Sequence, residues 1–206
     1  MKIELVRVLA VALCAVACST APAPAQTPAP APTQAAAPDT STRKGYTSAD
    51  VKFMQGMIGH HRQALDMATL VPDRTARRDF ALMAERITLS QESEIAQMQR
   101  WLKQRGEAVP AVDTHVYAAM GYGELMPGML SAAELSQLKN ARGVEFEKLF
   151  LQLMIKHHEG ALLMVKQLFS TPGSGQQPEL FILAADIDAD QNAEIKRMRT
   201  LLSQLQ

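Results

Sequence analysis

The chain has almost no cysteine: Cys14 and Cys18 are its two thiols, and both fall within the first 18 residues. The remainder therefore has neither a disulfide nor a thiolate metal site. A soft-metal site there must use thioether sulfur and imidazole. Net charge is also lacking, since 21 Lys and Arg balance 21 Asp and Glu. No basic patch or nucleic-acid motif stands out, which argues against a DNA or RNA partner. The apolar run near the N-terminus is too short and wrongly flanked for a comfortable membrane span. Catalytic signatures are missing as well. A di-iron oxidase on a helical bundle needs four helix carboxylates and two GluXXHis motifs, and no GluXXHis occurs. No HisGluXXHis zinc-protease motif and no serine or cysteine nucleophile arrangement is visible. The expectation is a protein that is not an enzyme.

What is present is a repeat. Residues 57–67 read MIGHHRQALDM and residues 154–164 read MIKHHEGALLM. Each copy is followed by a second matching segment, QESEIAQM at 91–98 and QNAEIKRM at 191–198. The chain reads as a duplicated helical hairpin. Four of its five histidines lie in the repeat, among a total of 12 methionines.

The N-terminus opens MKIELVRVLAVALCAVACST: a short basic start, an apolar run, then small residues. This is the pattern of a secretory signal segment, assigned to 1–17. Ala15-Val16-Ala17-Cys18 resembles a lipoprotein processing site, with Cys18 as the lipidated first residue, although Ala15 stands where leucine is usual. Ordinary cleavage near Ala23-Pro24-Ala25 is the alternative. Residues 18–45 are rich in Ala, Pro, Thr, Gln and Ser. They bury too little side chain to offset ordering entropy and are expected to form a tether. The remaining 46–206 suffices for one medium domain. The protein is expected to be exported, to the periplasm or cell envelope, and to meet a membrane only through a lipid on Cys18.

Helix one is predicted from Thr47 or Ser48, either of which could cap it, to about Val71, before Pro72. On a helical wheel, Asp50, Met54, Met57, Ala64, Leu65 and Ala68 share the face of His61. His60, Phe53 and Met67 fall toward an edge, and Arg62, Gln63 and Asp66 point away. Helix three repeats this: Glu147, Leu151, Met154, Ala161, Leu162 and Val165 share the face of His158, with Phe150, His157 and Met164 at the edge. Asp50 and Glu147 each precede the inner histidine by three turns, about 16 Å along a straight axis. Helix two spans about 75–104, with a stripe of Met83, Ile87, Glu94, Met98 and Trp101 bordered by Gln91. Helix four spans about 179–204, with Leu183, Ile187, Glu194, Met198 and Leu201 bordered by Gln191. A glutamate inside an apolar stripe is costly unless paired. Residues 105–142 link the hairpins; Ser131 and Glu134 match a capping box, predicting a short helix over 132–141. Residues 170–175 form the second hairpin turn. Four long helices with two short loops and one long crossover predict an all-α, ferritin-like four-helix bundle.

Phe53 with Met57 to His61 and Ala64, Gln91 to Met98, Met126-Pro127-Gly128-Met129, Phe150 to Ala161 and Gln191 to Met198 together resemble the DUF305 family of exported bacterial proteins. The resemblance covers nearly all of 48–205. It implies a ferritin-like four-helix bundle, often lipidated or periplasmic, with copper binding and copper tolerance in some members and no agreed enzymatic activity. It implies His60, His61, His157, His158, Met57, Met154, Glu94 and Glu194 as the metal residues.

The residues themselves leave two readings. His61 and His158 are metal ligands facing each other across the halves, or core histidines paired with Glu94 or Glu194. His60 and His157, at the edge, complete a site, bridge to a neighbouring helix or meet solvent. Glu94 and Glu194 are ligands or acceptors that orient imidazole. Helix counting puts His61 and Glu94 about 15 Å apart in height, which favours a site across the two hairpins. Met57 and Met154, one turn before the inner histidines, are soft donors or core packing. Met120, Met126 and Met129 with His115 are a second soft cluster or crossover structure. The leading expectation is an exported protein that binds or buffers copper, with zinc or another transition metal as the alternative ion. The rival is a metal-free, envelope-tethered helical scaffold or protein-interaction module. Homo-oligomerisation stays open.

Overall fold

The computed structural model describes residues 45–110 and 126–205. The signal segment, Cys14, Cys18, most of the tether, His115 and Met120 lie outside the described residues. The described residues form five helices and no strand, so the fold is all-α. They are α1 (Ser48–Ala68), α2 (Arg78–Gln104), α3 (Ala132–Asn140), α4 (Gly143–Ser170) and α5 (Pro178–Ser203). None of them is long and apolar enough to cross a membrane.

Local chemistry fixes the ends. Thr47 caps α1 in a reciprocal box with Asp50, and Ser131 caps α3 with Glu134 in the same way. Helix α1 stops at Ala68 instead of Val71. Pro72 disfavours helical backbone before it, and Val71–Asp73 turn as a short 3₁₀ segment instead. Helix α2 starts at Arg78 rather than 75, because Thr75 and Arg77 are engaged elsewhere. Thr75 Oγ1 donates to Glu147 Oε1 at 2.5 Å, and Arg77 reaches Glu147 Oε2 at 3.4 Å.

Helices α1 and α2 form one hairpin, and α4 and α5 the other. The hairpins join chiefly through α1 against α4, with a lighter contact of α2 on α5. On that lighter contact Ser90 Oγ donates to Asp190 Oδ2 at 3.2 Å, so matching positions of the two copies touch. Asp50 and Glu147 serve the structure, three helical turns from the inner histidines. Glu147 holds the loop of the first hairpin. Asp50 Oδ1 accepts from Gly175 N at 2.8 Å, in the loop of the second. Each hairpin thus ties down the other's connection. Two apolar clusters flank the mid-bundle polar residues, one around Phe53, Met57, Trp101 and Ile187, the other around Phe80, Phe146, Phe150 and Met154.

Candidate metal centre

The duplicated segments place His60 and His61 on α1 and His157 and His158 on α4, all buried. His61 Nε2 bonds Glu94 Oε2 at 2.5 Å, and His158 Nε2 bonds Glu194 Oε2 at 2.6 Å. Both pairs are sequestered from solvent. The carboxylates are therefore partnered, which removes the cost of an isolated buried charge. Each pair lies inside one hairpin, which for His61 and Glu94 is contrary to the height difference expected from helix counting. The nine residues between α1 and α2 carry the chain onward along the axis before α2 begins, so Glu94 comes level with His61. Counting residues from the turn omits that extension.

The pair that faces across the halves is the outer one. The His60 and His157 rings stand 3.9 Å apart with planes inclined by 38°. Of the readings open to these edge histidines, solvent exposure is excluded: both are buried and meet across neighbouring helices. The crossover segment 126–130 covers them. Pro127 O accepts from His60 Nε2 at 2.9 Å. Gln63, expected to point away, is buried for the same reason: it donates to Leu130 O at 3.1 Å and accepts from Leu130 N at 2.7 Å.

Close approach of this segment depends on two glycines. A Cβ on Gly160 would lie 2.0 Å from Pro127 O, and one on Gly128 would lie 2.6 Å from Lys156 O. Gly128 also has φ +76°, a conformation natural to glycine. Gly160 and Gln63 occupy equivalent positions of the two repeats. The copies diverge there because the crossover rests on glycine in one and is bonded by glutamine in the other. That divergence is the sequence signal for the cover.

Burial sets the electrostatics. His60 is lowered to about 3, first by desolvation and then by His61. His157 is lowered well below its ordinary value, by burial first and then by His60 and His158. Both outer imidazoles are neutral at physiological pH, the form that ligates metals.

Several buried polar atoms have no hydrogen-bond partner. They are Nδ1 of His60, His61 and His158, both ring nitrogens of His157, and both amide atoms of Gln91 and of Gln191. Gln91 and Gln191 only border their stripes on the wheel, yet both are buried. A carbonyl can only accept, so His60 carries its proton on Nε2 and presents a lone pair at Nδ1. Glu94 and Glu194 hold His61 and His158 through Nε2 in the same sense. Imidazole ligands of metals characteristically donate their other N–H to a carboxylate or carbonyl. The donor chemistry thus fits a transition metal. Among the described residues, however, no group of three or more His, Cys, Asp or Glu side chains converges to hold an ion. An ion there would need donors besides these side chains. Met57 and Met154, one turn before His61 and His158, are fully buried.

The comparisons with known proteins agree with this architecture. The sequence profile of the domain of unknown function DUF305 matches residues 50–202. A DUF305 fragment from Deinococcus radiodurans is 33% identical, with a TM-score of 0.66, over 77% of this chain and 98% of that one. A DUF305 protein from Streptomyces coelicolor, described as secreted, is 32% identical with a TM-score of 0.66, over 77% and 94%. CopM in its Cu(II)-bound form is 30% identical with a TM-score of 0.62, over 76% and 97%. CopM structures in Cu(I)-bound, silver-bound and apo forms are similar as well. No curated protein matches the chain. With the profile spanning most of its length and its helices superposing on those relatives, the chain belongs to the DUF305 family.

Proposed function

We propose that this protein binds copper outside the cytoplasm, holding the ion between its two hairpins without turning over a substrate. One observation carries the reading. Four imidazoles are buried, two on α1 and two on α4, each with a ring nitrogen that lacks a hydrogen-bond partner, and His60 and His157 face each other across the hairpins. Three of them are oriented through Nε2 by a carboxylate or carbonyl. Imidazole nitrogen with nearby thioether sulfur favours copper over zinc. The similarity to CopM, whose structures hold Cu(I), Cu(II) or silver, supports the same choice. In this reading His60, His61, His157 and His158 supply nitrogen, Met57 and Met154 supply sulfur, and Glu94 and Glu194 orient imidazoles instead of ligating. The signal-like N-terminus and the secreted description of the Streptomyces relative support export. The lipid attachment point in this reading is Cys18, on its sequence context alone.

A metal-free scaffold is the second reading, and the closed His61–Glu94 and His158–Glu194 pairs favour it. Titration of the purified protein with Cu(I), Cu(II) and Zn(II) against calibrated chelators separates the two. Tight copper binding that is lost when His60, His61, His157 and His158 are replaced is the expected result. A folded protein with no measurable affinity for any of the three ions would establish the scaffold.

A further inference from the structure

Helices α2 and α5 make only a light contact, marked by Ser90 and Asp190, and a groove opens on each side of it. One groove lies between the end of α2 and the start of α5, the other between the start of α2 and the end of α5. The two helices are copies of one another, Gln91 matching Gln191 and Met98 matching Met198, so the grooves are counterparts. They nevertheless differ. In the first, Trp101 is buried, Arg105 covers its ring at 4.3 Å and pairs with Glu179 at 2.9 Å, and about 200 Å³ remains. In the second, Leu201 stands where the first has Trp101, and about 570 Å³ is open. Met83, Ala193 and Leu201 line it, with the side of Leu82, which is 48% exposed.

Charge divides the grooves in the same way. Arg86, Lys196 and Arg197 line the second, and their counterparts in the first are Asp186, Ala96 and Gln97. None of the three cations forms an ion pair among the described residues. The acidic groups around them are engaged elsewhere. Asp79, which lines the groove, is held by Arg77 at 2.6 Å, Asp190 accepts from Ser90, and Glu194 is buried against His158. One copy of the duplicated groove has therefore been filled and neutralised, while the other is open, apolar-walled and cationic.

We infer that the open groove binds a single-chain amphiphile with an anionic head, a fatty carboxylate. The head would sit among Arg86, Lys196 and Arg197, and the chain along Leu82, Met83 and Leu201. Unbalanced cations beside an apolar wall complement an anion with an apolar body. The size agrees: small-molecule sites run to about 300–1,000 Å³. The stretch from Asp79 to Arg86 is about 10 Å along the axis, room for an alkyl chain lying lengthwise. A partner helix, about 10–12 Å across, is too wide to sink between helices that still touch at Ser90 and Asp190. The inference does not depend on the copper-binding reading.

The test titrates the purified protein with laurate below its micelle concentration, read by calorimetry and by amide NMR shifts. Butyrate supplies the head without the chain, and dodecyl maltoside the chain without the charge. Laurate should bind with shifts concentrated at 79–86 and 193–201, and both control ligands should bind about tenfold more weakly or worse. An Arg86→Gln/Lys196→Gln/Arg197→Gln variant should lose about tenfold or more in laurate affinity. Leu201→Trp, which copies the filled groove, should do the same; should it not fold, the glutamine variant decides. Laurate affinity unchanged in the glutamine variant, or no laurate binding by folded wild type, would overturn the inference. Dodecyl maltoside binding as tightly as laurate would overturn the anionic head. Shifts at these residues with an acidic amphipathic peptide but none with laurate would overturn it in favour of a protein partner.

Discussion

At the scale of single residues, the centre of the bundle is built from buried groups whose partners decide their state. Glu94 is tolerable in an apolar stripe because His61 donates to it at 2.5 Å. Replacing Glu94 by leucine strands a buried imidazole N–H and is expected to lower stability by about 1–3 kcal/mol. Adding His61→Leu should restore part of that loss, because both polar partners are then gone. Urea denaturation of the two single variants and the double variant measures this coupling, and additive losses would show that the pair is not coupled. The outer histidines give a pH dependence. Their folded pKa values are depressed, to about 3 for His60 and well below the ordinary value for His157. Below about pH 6.5 the unfolded chain takes up protons that the folded apoprotein refuses. Stability is therefore lost as pH falls from about 6.5 toward 3, at up to about 1.4 kcal/mol per pH unit for each histidine. Metal-free denaturation curves between pH 7 and pH 4 should show this slope, and a His60→Leu/His157→Leu variant should flatten it.

At the scale of elements, the repeat alone makes the four long helices legible. The histidines recur with the same apolar neighbours, and the QxxEIxxM segments mark the partner helices. The capping boxes at Thr47–Asp50 and Ser131–Glu134 are equally legible, since a cap is chemistry within four residues. The crossover is not. Its turn at 126–129 is fixed by what it rests on, chiefly Gly160 and Gln63, and a wheel drawn on one helix contains no information about a segment from elsewhere that packs on it. The consequence is testable at Gly160. Alanine there would place Cβ 2.0 Å from Pro127 O, so the turn must lift from α4. We expect Gly160→Ala to destabilise the protein by about 1–3 kcal/mol. It should also raise hydrogen exchange at the amides of Met129 and Leu130, while exchange in the middle of α2 stays slow. Unaltered exchange at 129–130 would show that the turn does not depend on this contact.

At the scale of the whole molecule, two copies of a hairpin are fastened by reciprocal ties: Asp50 to Gly175, and Glu147 to Thr75 and Arg77. An ion held between the hairpins would add a further tie. Free copper at about 100 times its dissociation constant stabilises the folded state by about 2.7 kcal/mol, which corresponds to a rise of about 5–10 °C in Tm. Thermal unfolding with and without copper should show that rise in wild type, and none in a variant lacking all four central histidines. The sequence by itself determined the all-α class, the duplication, the capped starts of α1 and α3, the lack of cysteine beyond residue 18 and the set of histidines and glutamates at the centre. These follow from periodicity, composition and local capping, which act over a few residues. Only the tertiary structure decided which histidine meets which glutamate, that His60 and His157 face each other in the interior, and that Gln63 and Pro127 belong to the same place. Those pairings depend on how far a loop travels before the next helix begins and on where a distant segment comes to rest, and both are settled by packing between elements rather than within them.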